Sequence, residues 1–66
     1  MIESVRIFNQ ALSANNGEPL KAAKALVDTM LTYPDTRSND VVEAVAALLR
    51  EGLLAPVVYS GGPSAL

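Results

Sequence analysis

The 66-residue chain has no cysteine, no histidine and no tryptophan. Without cysteine there are no disulfides, and without both cysteine and histidine the usual zinc sites are gone. The same two absences remove the commonest general base near neutral pH and the thiol nucleophile. Positive charge is also scarce, with five Lys and Arg against seven Asp and Glu, for a net charge of −2. Nucleic-acid binders and membrane-surface helices usually carry the opposite balance. Long apolar runs are missing too. The longest, AVAALL at 44–49 and LLAPVVY at 53–59, fall far short of the roughly 20 residues that cross a bilayer. The opening MIESVRIF has an acidic third residue and no apolar signal region. The expectation is a cytoplasmic protein with no membrane role.

What the chain has in quantity is hydrophobic residues, half of the total. A domain of this size buries only about 60% of its unfolded surface, and ordering it costs about 1.5 kcal/mol per residue, so burial and entropy nearly cancel. Small folds answer with disulfides, metals or association. The first two are excluded by composition, which leaves a second copy, as a homodimer, or another protein as the expected partner.

Turn signals at NNGEP (15–19), YPDTRSND (33–40), EG (51–52) and SGGP (60–63) divide the chain. From Ile2 to Ala14, Val5, Ile7, Phe8, Ala11, Leu12 and Ala14 share one side of a helical wheel. Arg6, Asn9, Gln10 and Ser13 share the other. Asn15, Asn16 and Gly17 tolerate the left-handed conformation that stops a helix. A second helix starts at Pro19, where the missing N–H costs nothing. Its apolar stripe is Leu20, Ala23, Leu26, Val27, Met30, Leu31 and Tyr33, opposite Lys21, Lys24, Asp28 and Thr32. Tyr33-Pro34 ends it, because proline disfavours helical geometry in the residue before it.

The third helix is expected over 40–51. Asp40 and Glu43 have the spacing of a capping box, with Ser38 and Asn39 as competing N-caps. Val41, Val42, Val45, Leu48 and Leu49 form a broad apolar side, and Ala44, Ala46 and Ala47 extend it and allow close approach of a neighbour. Only Glu43 and Arg50 are charged in its body, on nearly the same line. Gly52 fits the left-handed position after a helix end, with Leu53 folding back on Leu48. Residues 53–59 then read as an extended apolar arm. Its Val57, Val58 and Tyr59 are β-prone, and Pro56 limits it to an edge. The expected organisation is one all-α domain, a three-helix unit with an extended C-terminal arm over residues 1–59, followed by a flexible tail at 60–66.

No residue is assigned a catalytic, cofactor-binding or metal role. Lys21 and Lys24 read as solvated lysines beside Asp28 rather than partners of a serine nucleophile. Asp35, Asp40 and Glu43 match no calcium loop. SGGP lacks the lysine and following helix of a phosphate loop. The functional expectation is a non-enzymatic protein–protein interaction or regulatory module. It would self-associate through helix 40–51, the 53–59 arm or both, with Val45, Leu49, Leu54, Val57, Val58 and Tyr59 as interface candidates. Tyr59 combines large area with a polar tip, which suits an anchor. The alternative is a small nucleic-acid-binding regulator of helix-turn-helix or winged-helix type, with Arg6, Lys21, Lys24 and Arg37 forming its basic patch. The acidic residues of helix 40–51 argue against it, since base edges and phosphates are read mostly by basic and amide side chains.

Overall fold

Helix α1 covers Glu3–Ala14. Glu3 lies in its first turn, where a carboxylate meets the positive end of the helix dipole. The expected stop is in place at the other end. Asn16 and Gly17 have φ of 59° and 75°, the left-handed region that these two residue types enter most readily. The Gly17 N–H donates to the Leu12 carbonyl at 2.8 Å, and Asn15 Nδ2 donates to the Ala11 carbonyl at 2.7 Å. The Ala11 and Leu12 carbonyls of the last turn are thereby satisfied. The computed structural model describes the backbone of residues 2–61 and the side chains of residues 2–54.

Helix α2, Pro19–Thr32, begins on its proline as the sequence predicts. A single 3-10 turn, Pro34–Thr36, follows it. This connection closes back on the helix end. Arg37 Nε donates to the Met30 carbonyl at 2.9 Å, and Thr36 Oγ1 donates to the Tyr33 carbonyl at 2.7 Å. A guanidinium thus caps the C-terminus of α2 from seven residues downstream, where a cation is favoured.

Helix α3 runs over Asn39–Gly61 in the backbone, and it departs from expectation at both ends. At its start the N-cap is Ser38, whose Oγ accepts the Val41 N–H at 3.2 Å. Asp40 lies inside the first turn instead, so it contributes through the helix dipole and not through a capping box. The second departure is larger. Gly52 does not end the helix. It is a buried helical residue, and a Cβ built on it would lie 2.5 Å from Leu20 Cδ2, 2.6 Å from Leu20 Cγ and 3.3 Å from the Leu20 nitrogen. Glycine stands here because another helix occupies the space a side chain needs. Leu53 continues the helix and is 63% exposed, so it does not clasp the buried Leu48. Leu54 is helical and exposed as well. The side chains of the remaining expected arm, residues 55–59, and of the tail, 60–66, lie outside the described residues.

The architecture is all-α with three helices. The start of α2 lies against Gly52 while its end feeds α3 through the Tyr33–Ser38 connection, so α2 and α3 run antiparallel. Their contact is made of small side chains. Ala22 and Ala23 of α2 meet Val45 and Leu48 of α3, all nearly inaccessible to solvent. Phe8, Ala11, Leu12, Leu26, Met30 and Val41 pack partly buried around this centre. Helix α1 lies across the pair. It meets α3 along a shallow groove between Val5, Phe8 and Ala44, Ala47. A second shallow groove separates its Ile7 and Ala11 from Ala25 and Thr29 of α2.

Candidate interaction face

The apolar residues of α2 and α3 are more numerous than this core can hold. On α2, Ala22 and Ala23 face inward, while Leu20, Val27 and Leu31 remain 45%, 36% and 67% exposed. On α3, Ala44, Val45, Leu48 and Gly52 face inward, while Val42, Leu49 and Leu53 remain exposed. With Ala46, the latter three form a row of 4–3–4 spacing, the repeat by which one helix presents a seam to another. Ala46 is also exposed.

Both rows turn the same way. At about 100° per residue, Leu20, Val27 and Leu31 project about 160° away from the residues of α2 that line the α1 groove, Ala25 and Thr29. Val42, Ala46, Leu49 and Leu53 project about 130° away from the mean direction of the residues of α3 that line the α1 groove, Glu43, Ala44, Ala47, Arg50 and Glu51. Helix α1 therefore covers one side of the α2/α3 pair, and the two exposed rows lie side by side on the other. Six half-exposed aliphatic side chains present about 400–600 Å² of apolar surface, as large as the biggest patch on a typical monomer. Among the described residues no other feature is so concentrated, and no buried polar atom lacks a partner.

Interface candidates from the sequence fall in different places. Leu49 belongs to the exposed row, and Leu54 is 57% exposed but projects about 110° from the row, beyond Glu43 and Arg50. Val45 is 8% exposed and sits in the core between α2 and α3. The side chains of Val57, Val58 and Tyr59 lie outside the described residues. The contributions of Leu20, Val27, Leu31 and Val42 were not separable from core positions by pattern alone, since all belong to the apolar side of their helices. The 4–3–4 spacing of the α3 row does not mark it either, because Val41, Val45, Leu48 and Gly52 on the inward side repeat it.

The four basic residues of the alternative nucleic-acid patch are each engaged. Arg6 forks onto Glu3, with Nε to Oε1 at 3.0 Å and a second bond from Nη2 to Oε2, and its Nη1 donates to Gln10 at 3.1 Å. Hydrogen bonding to Arg6 holds the Glu3 carboxyl below its ordinary value, and the same bond raises Arg6. Lys21 pairs with Glu18 at 3.5 Å and Lys24 with Asp28 at 3.2 Å. Arg37 is directed at the Met30 carbonyl. Three of the four cations of the alternative nucleic-acid patch thus have a carboxylate beside them. Among the described residues, no group of three acidic side chains comes together to hold a metal ion. No helix among them is long and apolar enough to cross a membrane. Comparison with protein-family models, curated proteins and solved structures finds no match for this chain.

Proposed function

We propose that this chain is a non-enzymatic protein–protein interaction module that docks through the exposed face of α2 and α3. One observation carries the reading. Leu20, Val27, Leu31, Val42, Leu49 and Leu53 are aliphatic, half-exposed and collected on one side of the helix pair. Exposed patches of this size mark sites where another surface is excluded from water. The mechanism is hydrophobic docking, with the polar flanks of the two helices forming the rim. The reading places the module in the cytoplasm, with which a chain that needs no disulfide is compatible. It brings no cofactor.

The test compares two double variants of the intact chain. Leu31→Asp/Leu53→Asp puts charge on the face at exposed positions, and Lys21→Glu/Lys24→Glu reverses charge beside it. Association, with itself or with a purified partner, is lost in the first and retained in the second. Binding that survives the first pair, or that requires the lysines and weakens steeply with salt as phosphate contacts do, refutes the reading in favour of nucleic acid.

A further inference from the structure

We infer that the occupant of this face is a second copy of the same chain, packed antiparallel about a twofold axis with α3 on α3 and α2 on α2. The inference rests on the interaction reading above and names its partner. Three features of the face make it complementary to itself.

The first is register. In an antiparallel pair centred on the α3 row, Val42 meets Leu53 of the second copy and Ala46 meets Leu49. The axis then passes at the level midway between residues 47 and 48. The contact of Leu20 with Gly52 fixes how α2 and α3 are aligned. Through it, that level falls between residues 24 and 25 of α2. The exposed α2 row, Leu20 to Leu31, is centred between 25 and 26, about 1.5 Å away at the helical rise. One axis therefore centres both rows. The antiparallel packing of α2 on α3 sets the rows level, and a twofold seam along both helices makes use of it.

The second is charge. Glu43 and Arg50 stand on the flank of the α3 row away from α2, seven residues and about 10 Å apart. Neither makes an ion pair among the described residues. In the antiparallel arrangement equivalent flanks meet, so Glu43 of each copy comes within about 3 Å of level with Arg50 of the other. A parallel arrangement would not bring these two flanks together. On α2, Lys24 is neutralised by Asp28 within one chain and comes within about 1.5 Å of level with Lys24 of the second copy, so the charge match is carried by the α3 flank.

The third is area. Two such faces remove about 1,000 Å² of apolar surface from water, the lower bound for a biological interface and the range of weak, reversible association. Exposed Ala46 at the middle of the row lets the two α3 backbones approach closely.

Sedimentation equilibrium of the intact chain, from about 10 μM to 1 mM, tests the arrangement, with helical circular dichroism recorded on every sample. The expected mass rises from one chain to two. Glu43→Arg places like charges opposite each other twice per dimer and raises Kd about tenfold, and Glu43→Arg/Arg50→Glu restores it to within about threefold. Leu49→Asp gives one chain at all concentrations with helicity retained. A helical wild type that stays at one chain throughout overturns the inference. So does a dimer indifferent to Leu49→Asp, or a charge swap that binds no better than the single reversal. A monomeric wild type that still binds a different purified protein through Leu31 and Leu53 overturns the second copy and leaves the interaction module standing. If the Leu31→Asp/Leu53→Asp variant keeps all binding, the module itself fails.

Discussion

Gly52→Ala separates two roles that a glycine can have near the end of an apolar helix. In an ordinary helix interior the change stabilises by about 1 kcal/mol, because alanine loses less backbone freedom on folding. At Gly52 the new methyl meets Leu20 Cδ2 at 2.5 Å and Cγ at 2.6 Å. Swinging Cδ2 aside is not enough, since Cγ is fixed by χ1 and the Leu20 nitrogen stands 3.3 Å away. Overpacking of this kind costs about 1–3 kcal/mol. The net expectation is a destabilisation of about 1 kcal/mol, a fall in Tm of about 4–8 °C for a domain of this size. The partner atom identifies the cause. In a Leu20→Ala background both clashing carbons are gone and only the nitrogen contact remains, so Gly52→Ala becomes stabilising by about 0.5–1 kcal/mol. The coupling between the two sites is then about 2 kcal/mol, well above the error of additivity for independent positions. Urea denaturation of the wild type, both single variants and the double variant, followed at 222 nm, measures the full cycle. A glycine needed for a left-handed turn would make alanine unfavourable in both backgrounds alike. That result, or stabilisation in both, refutes the close approach of α2.

Ser38→Ala removes the oxygen that accepts the Val41 N–H and lowers stability by about 1 kcal/mol, while Ser38→Asp retains it, as thermal unfolding will register. Leu48→Ala empties the most buried large side chain of the core and costs about 2–5 kcal/mol, a large share of the roughly 3–10 kcal/mol such a chain can hold, so loss of cooperative unfolding is expected. Glu3 has its carboxyl depressed by the Arg6 hydrogen bond. Its contribution is present above the ordinary carboxylate range and is lost as pH falls through the lowered native value. A carbon-detected titration of Glu3 will show its midpoint rise on Arg6→Gln.

The helix boundaries that depend on local chemistry were legible before the fold was known. Asn16 and Gly17 stop α1 through backbone geometry that only a few residue types adopt cheaply, and Pro19 starts α2 for a reason intrinsic to its ring. Gly52 carries the same letter as Gly17 and does the opposite work. A glycine that ends a helix and one that makes room for a neighbouring helix look alike until the neighbour is in place. The same holds for the exposed face. Val45 and Leu49 both belong to the apolar side of α3, yet one is in the core and the other outside it. That choice is made by where α1 and α2 land, which periodicity does not encode. Ser38, Asn39 and Asp40 were three competent caps in a row, and the selection of Ser38 fixed where α3 starts.

The helices meet through Ala22, Ala23, Ala44 and Gly52, which has a thermal consequence. Heat-capacity change on unfolding scales with the apolar area newly hydrated, and methyl groups contribute little of it. A chain with such an interior has a shallow stability curve: modest at its maximum, declining slowly on either side, with cold unfolding far below the freezing point. Covering the aliphatic rows outside the core would add the missing area, so association would steepen that curve as well as raise it. Calorimetry at increasing protein concentration would see the heat-capacity step grow along with Tm.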